Sequence, residues 1–120
     1  MSRKQPNVLF IIVDQQRWDA LGCYGNSAIS TPHIDRLAAG GLTFDRAYCE
    51  SPICLPSRTT LLTGKRASHH GVTLHGSSIR DGERTLADAF SEHGYLTHAV
   101  GKIHVRSQVH SGHPESFPDW

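Results

Sequence analysis

A continuous run of apolar residues near the amino terminus limits the folds open to this 120-residue chain. Residues 8–13 read Val-Leu-Phe-Ile-Ile-Val, without the polar alternation of a half-exposed strand. Such a run, rich in β-branched and aromatic side chains, is typical of a strand buried on both faces in the parallel sheet of an α/β domain. Asp14 follows at the carboxyl end of this predicted strand, where ligands bind in open α/β sheets. The run therefore predicts an α/β architecture with a site near Asp14.

Two short helices are predicted from signals at their ends. Thr31 is a suitable N-cap, Pro32 is a suitable first helical residue, and residues 40–41 are both glycine, which together predict a helix with marked boundaries. Thr85 and Asp88 have the spacing of a capping box, which predicts the start of a second helix. Gly94 is expected to end this helix. Helices between strands agree with the α/β interpretation.

The remaining segments add strands and loops to this plan. Residues 42–48 are expected to be extended, residues 65–83 are polar and glycine-rich and predict a surface excursion, and residues 95–100 predict a second buried strand. Lys102 and His104 would then lie at its carboxyl end, with both side chains on one side of an extended segment. Two or three parallel strands leave sheet edges open. The chain is therefore expected to be the beginning of a larger fold.

Charge and cysteine content exclude several classes of function. Twelve Lys and Arg residues nearly balance eleven Asp and Glu residues, which disfavours nucleic-acid binding and attraction to an anionic membrane. The apolar stretch after Arg3 and Lys4 is too short for a secretion signal, and no stretch has transmembrane length. A cytoplasmic location is expected. Because Cys23, Cys49 and Cys54 make an odd count, reduced thiols are expected rather than a disulfide framework.

The run Cys54-Leu55-Pro56-Ser57-Arg58 lies at a predicted junction between a loop and a helix over residues 57–63. Pro56 favours a first helical turn, Ser57 and the threonines could satisfy free amides, and Gly64 could close the helix. A helix N-terminus favours bound anions. From the residues alone, Cys54 is either a core thiol or a nucleophile activated by this terminus and by Arg58. Arg58 is either a solvated charge or an anion ligand.

Cys54-x-Pro56-Ser57-Arg58, with the trailing Leu-Leu-Thr-Gly, resembles the signature of the sulfatase family, in which the cysteine is converted to formylglycine. Together with the segments around Asp14 and His104, the resemblance covers residues 8 to about 104. It implies a partial alkaline-phosphatase-like α/β fold, with a parallel-type sheet flanked by helices and with the C-terminal part absent. It also implies metal-dependent hydrolysis of a sulfate ester to an alcohol or phenol and sulfate.

The resemblance also implies a metal site. Asp14 and Gln15 would bind a divalent cation together with Cys54 in its formylglycine form; calcium is the expected ion, with magnesium or manganese as alternatives. Taken alone, Asp14 and Gln15 have oxygen ligands suited to a hard cation, but two residues do not make a six-ligand site and could simply cap the loop. Gln15 replaces the commoner acid, which resembles the branch that contains phosphonate monoester hydrolases. Hydrolysis of phosphonate monoesters or phosphodiesters, within the same superfamily, is therefore the alternative function.

The catalytic residues implied by the resemblance are Cys54, Arg58, Lys102 and His104. One hydroxyl of the hydrated formylglycine would attack sulfur, and the other would expel sulfate by losing its proton. Arg58 would orient the hydrate, Lys102 would contact a sulfate oxygen, and His104 would transfer a proton. A lone Lys-x-His pair is more often surface decoration, so these two roles depend on the resemblance.

Implied partners are a small sulfate ester and a formylglycine-generating or other maturing enzyme, with no nucleic acid and no membrane. Because family members are several times longer, residues 1–120 are expected to be an incomplete N-terminal part of a sulfatase catalytic domain, inactive alone. A non-catalytic remnant or interaction module is the other alternative.

The remaining histidines form two groups in the sequence, His69 and His70, and His104, His110 and His113. Their spacing matches no structural zinc pattern, so a solvated loop is expected there.

Overall fold

The computed structural model of the chain describes residues 5–106. The chain divides into two compact units, with the boundary between Ala47 and Tyr48. None of the helices in the described part is long and apolar enough to cross a bilayer. The elements in chain order are two 3-10 turns, Trp18–Ala20 and Gly22–Tyr24, followed by helices α1 (Pro32–Gly40), α2 (Cys54–Thr63), α3 (Ala67–His70) and α4 (Leu86–Glu92).

The N-terminal unit is organised by hydrogen bonds between α1 and the second 3-10 turn. The predicted start of α1 at Pro32 is confirmed, but the Thr31 side chain does not cap the helix. Its hydroxyl instead accepts from the Gly22 amide at 2.8 Å and donates to Asp35 Oδ1 at 2.9 Å. The same carboxylate oxygen accepts from the Cys23 amide at 2.7 Å. Asp35 therefore joins the helix to the turn.

The predicted parallel sheet is not confirmed, because no strand is assigned anywhere within residues 5–106. Residues 8–13 expose between 42% and 84% of their surface, so the predicted burial is wrong here. The burial predicted for residues 95–100 is also wrong, since Leu96 is 84% exposed and Val100 is 99% exposed. A strand is buried and hydrogen-bonded by its neighbours, and the described part of the chain provides no paired strand to cover these segments.

The core of the C-terminal unit surrounds α2. Leu55 and Thr59 on this helix are fully buried. The predicted closure of α2 by Gly64 is confirmed, since this residue is left-handed with φ 67° and its amide donates to the Thr60 carbonyl. However, the helix begins at Cys54 and not at the predicted residue 57. The hydroxyls of Thr59 and Thr63 donate to carbonyl oxygens one turn back, at 2.8 and 2.7 Å, and so do not satisfy free amides at the start of the helix. Threonine in a helix interior commonly bonds in this way rather than capping amides.

Residues 65–83 are not the simple surface excursion that was predicted. His70 and Val72 are buried, and Ile79 is 7% exposed. His70 Nδ1 accepts from the Val72 amide at 3.0 Å, and its Nε2 lies 3.0 Å from Thr60 Oγ1 on α2. The expectation of a solvated His70 is therefore wrong, because the residue is buried and both ring nitrogens have partners within the chain. These bonds hold the segment against α2.

Helix α4 confirms the predicted capping box. The Thr85 hydroxyl accepts from the Asp88 amide at 3.4 Å, and Asp88 Oδ2 accepts from the Thr85 amide at 2.7 Å. The Thr85 hydroxyl also donates to Asp88 Oδ2 at 2.7 Å, and this bond, together with the one from the Thr85 amide, lowers the pKa of Asp88 below its ordinary value. At the other end of the helix, the rings of Phe90 and Tyr95 meet edge to face with centroids 4.9 Å apart. Helix α4 is thus fixed at both ends by contacts that its sequence encodes locally.

Candidate active site

Cys54 and Arg58 lie one helical turn apart at the start of α2. Residues with this spacing share a helix face. Cys54 is half-buried, whereas Arg58 is only 7% exposed. The guanidinium of Arg58 donates to the carbonyl oxygen of Lys102 at 2.6 Å. Helix α2 thus carries Cys54 and Arg58, and the bond from Arg58 holds Lys102 to this helix.

The amino terminus of α2 offers a favourable position for a negatively charged group. Ile53 is the N-cap and has no side-chain capping bond to the helix. The Ser51 hydroxyl accepts from the Ile53 amide at 3.1 Å, which fixes the chain as it enters the helix. A ten-residue helix directs the positive end of its dipole toward its first residue, here Cys54. An anion next to Cys54 would therefore be stabilised.

His104 lies against Cys54. Its Nδ1 is 3.4 Å from Cys54 Sγ, although the two residues are far apart in sequence. The backbone of His104 is left-handed, with φ 54°, an uncommon conformation for a residue other than glycine. Gly101 is also left-handed, with φ 87°. The predicted extended segment with alternating side chains is therefore wrong at this point, because these two residues turn the chain.

His75 completes a three-residue group that the sequence did not predict. Its Nε2 lies 3.9 Å from Cys54 Sγ, and its ring stacks on that of His104 with centroids 5.6 Å apart and planes at 19°. The ligand atoms of Cys54, His75 and His104 all lie within 4.8 Å of one another. Cys54 and His75 are 21 residues apart, so no short-range spacing signals the contact.

Asp14 and Gln15 belong to the N-terminal unit and are exposed. Gln15 is left-handed, with φ 53°. Their oxygens have the right chemistry for a hard cation, but a calcium ion takes about six to eight oxygen ligands. Within residues 5–47, Asp14 belongs to no group of three Asp, Glu, His or Cys side chains that could share an ion. The two residues fit such a cation in kind but not in number.

Within residues 5–106, no other cysteine or histidine belongs to this three-residue group. Cys23 is half-buried, and Cys49 is exposed with its thiol 3.2 Å from the Ser51 carbonyl oxygen. All three cysteines are free, as expected. His69 is exposed on α3. His110 and His113, for which a solvated loop is predicted, lie outside the described residues.

Comparison with known proteins identifies relatives over almost the whole chain. A family model described as Sulfatase matches residues 6–113. The chain is 41% identical to an arylsulfatase of Clostridium perfringens over 84% of its own length and 21% of the relative's length. It is 34% identical to an N-acetylglucosamine-6-O-sulfatase of Bacteroides thetaiotaomicron over 98% and 20% of the two lengths. It is also 34% identical to human N-acetylgalactosamine-6-sulfatase over 96% and 25%. The chain thus spans between a fifth and a quarter of the length of these curated relatives.

Proposed function

The chain belongs to the sulfatase family, and on that premise we propose that it carries the nucleophile of a sulfuric ester hydrolase, as a formylglycine made from Cys54. The main structural support is the position of Cys54, at the first residue of α2 with His104 Nδ1 3.4 Å from its sulfur. A nucleophile needs a neighbouring group that can hold or release a proton, and His104 has suitable chemistry.

In this proposal, His104 handles the proton of the reacting group. Its Nδ1 faces the side chain of residue 54 and takes up a proton when the nucleophile attacks or when sulfate leaves. Formylglycine supplies a hydrated aldehyde as the nucleophile once it is formed. A sulfate oxygen near the start of α2 is stabilised by the helix dipole.

Arg58 and Lys102 provide the positive charge for an anionic substrate. The buried guanidinium of Arg58 lies one turn beyond Cys54, where it orients an oxyanion at the nucleophile. Its bond to the Lys102 carbonyl also holds the segment that carries the exposed Lys102 side chain. The ammonium of Lys102 then contacts a sulfate oxygen as a compact cation. Both residues bind and orient the substrate rather than exchange protons with it.

The proposal includes a divalent metal and a larger fold. Asp14 and Gln15 would hold a hard cation such as calcium, which supplies Lewis-acid polarisation when it is bound. Residues 1–120 would form the N-terminal part of an alkaline-phosphatase-like α/β domain, in which the apolar segment 8–13 is covered as a strand. The substrate would be a small sulfate ester, and a formylglycine-generating enzyme would be the maturing partner.

Cleavage of phosphonate monoesters or phosphodiesters is the second candidate function. Gln15 supplies a neutral amide oxygen beside the carboxylate of Asp14. A less anionic ligand set repels a negatively charged substrate less. The observation therefore favours a site that accepts phosphorus esters as well as sulfate esters.

A kinetic comparison tests both functions. The protein from the complete reading frame would be produced with a maturing enzyme and assayed on an aryl sulfate and an aryl phosphonate. We expect sulfate release that is abolished in Cys54→Ala and retained in Cys49→Ala, which removes an exposed thiol outside the site. Turnover that survives Cys54→Ala would contradict the proposed nucleophile. Absence of any turnover, despite conversion of Cys54, would favour a non-catalytic module, and phosphonate cleavage that exceeds sulfate cleavage would favour the second function.

A further inference from the structure

We propose that the thiol form of Cys54, together with His75 and His104, binds a zinc ion. The three ligand atoms, Sγ of Cys54, Nε2 of His75 and Nδ1 of His104, lie within 4.8 Å of one another. Its ligand atoms are one sulfur and two nitrogens, whereas Asp14 and Gln15 offer oxygens. It concerns the chain before Cys54 is converted, so it does not depend on sulfate hydrolysis.

The distances among the ligand atoms suit tetrahedral zinc. Zinc bonds sulfur at about 2.3 Å and imidazole nitrogen at about 2.0 Å, so a tetrahedral ion holds these two ligands roughly 3.5 Å apart. The observed separations from Cys54 Sγ are 3.4 Å to His104 and 3.9 Å to His75. Small rotations of the exposed His75 side chain would complete the geometry. The fourth position would be open to water on the exposed side.

The ligand types select the kind of ion. One thiolate sulfur and two imidazole nitrogens suit zinc and related transition metals, whereas calcium and magnesium prefer oxygen. The nearly parallel rings of His75 and His104, at 19°, both present a nitrogen to the same sulfur. Coordination of Cys54 as thiolate would release the thiol proton to solvent.

The segments that carry the two histidines are held together in the structure. The Ile79 amide donates to the Val105 carbonyl at 3.1 Å, and both side chains are 7% exposed. Beyond them, Arg106 pairs with Asp81 at 2.9 Å. On the other side of His104, the Arg58 bond to Lys102 fixes the chain to α2. Contacts within the chain therefore hold the two histidine segments next to each other and next to α2.

Zinc at this position would have a consequence for maturation. A zinc ion would occupy the sulfur of Cys54, the atom that must be free for conversion to formylglycine. Bound zinc would therefore delay maturation until the ion is removed. This consequence, unlike the site itself, rests on the proposed function.

The test uses the whole chain produced without a maturing enzyme, with the thiol verified by intact mass. Cobalt(II) would be titrated first, because thiolate-bound tetrahedral cobalt absorbs in the near ultraviolet and visible, and zinc would then displace it. We expect one ion per chain, no thiolate band in Cys54→Ser, and at least about tenfold weaker zinc binding in His75→Ala. His75→Cys should retain binding, because it restores a ligand, and His69→Ala is the matched control at an exposed histidine outside the group.

Two results of these titrations would overturn the proposed zinc site. The first is equal zinc affinities of the original chain and His75→Ala, and the second is cobalt binding without a thiolate band. Misfolding of a variant would not be mistaken for loss of the zinc site, because His75 is exposed and circular dichroism shows whether each variant keeps its helices. A failed titration would leave the aryl sulfate assay unaffected, so the two proposals fail separately.

Discussion

The guanidinium of Arg58 donates a 2.6 Å hydrogen bond to the main-chain carbonyl oxygen of Lys102, which lies 44 residues further along the chain. One side chain thereby connects the helix that begins at Cys54 to the segment that carries His104. Because Arg58 is only 7% exposed, its removal would leave a carbonyl oxygen without this donor in a partly buried position. The contact couples the stability of the C-terminal unit to the geometry of the proposed site.

We therefore predict that Arg58→Ala destabilises the C-terminal unit and abolishes sulfate release. Loss of a hydrogen bond to a charged group typically costs about 1.5–3 kcal/mol, and the free energy of unfolding from urea titration would measure it. Arg58→Lys should restore little, because a lysine has no planar fork of donors. Arg66→Lys is the matched control at an exposed arginine. An Arg58→Ala variant with unchanged stability would contradict the role of this bond.

Helix boundaries with local capping signals were the structural features best predicted from the sequence, although α2 begins at Cys54 and not at the predicted residue 57. The starts of α1 at Pro32 and of α4 after Thr85, and the end of α2 before Gly64, were all predicted. Each depends on contacts within a few residues, such as the capping box of Thr85 and Asp88. Local signals of this kind are complete in the sequence itself, so they are recognisable without tertiary structure.

Features that depend on distant contacts were not predicted. His70 is buried because Thr60 and Val72 provide partners for its ring, and His75 reaches Cys54 only after residues 65–83 fold against α2. The strand predicted over residues 8–13 followed from its apolar composition, yet burial requires neighbouring strands. His104 was predicted as a site residue through family resemblance, while its left-handed backbone had no local sequence signal.

Gly22 provides a prediction about the N-terminal unit. A Cβ at this position would collide with the Asp35 carboxylate, which is held by the Cys23 amide and the Thr31 hydroxyl. Gly22→Ala should therefore destabilise this unit by about 1–3 kcal/mol, as overpacking typically does. Fluorescence of Trp18, which meets the Tyr24 ring edge to face with centroids 6.2 Å apart, would follow its unfolding.

The matched control for Gly22 is Gly40→Ala. Nothing lies within 4 Å of a Cβ built on Gly40, the last residue of α1. Alanine is favoured over glycine in a helix by about 1 kcal/mol, so this variant should be neutral or slightly stabilised. If Gly22→Ala were as stable as Gly40→Ala, the close approach to Asp35 would have no energetic importance.

His70 predicts a pH dependence of stability. Burial is the main cause that lowers its pKa from the ordinary 6.5; the charges of Glu50 and Glu83 act in the opposite direction, and that of Lys65 adds to the lowering. The unfolded chain therefore binds a proton at a higher pH than the folded chain does. The stability that the folded protein gains from burying a neutral His70 is complete above about pH 6.5. It is lost as pH falls through the lowered pKa of the folded state.

Urea titrations at several pH values between 4 and 8 would measure this effect. The fall in unfolding free energy on acidification should be smaller in His70→Gln, which does not titrate, than in the original chain. His69→Gln should keep the original dependence, since His69 is exposed on the same helix. An identical fall in the original chain and in His70→Gln would show that His70 is not the responsible group.

The most direct test of the central proposal is the mass of the peptide that contains Cys54, measured in active protein made from the complete reading frame with a maturing enzyme. Cys54 is the cysteine followed by proline two residues later and arginine four residues later. We predict that its peptide loses the mass difference between a thiol-bearing carbon and an aldehyde, that Cys23 and Cys49 stay unchanged, and that the converted fraction tracks the rate of sulfate release. Full activity on an aryl sulfate with Cys54 still a thiol would contradict the account.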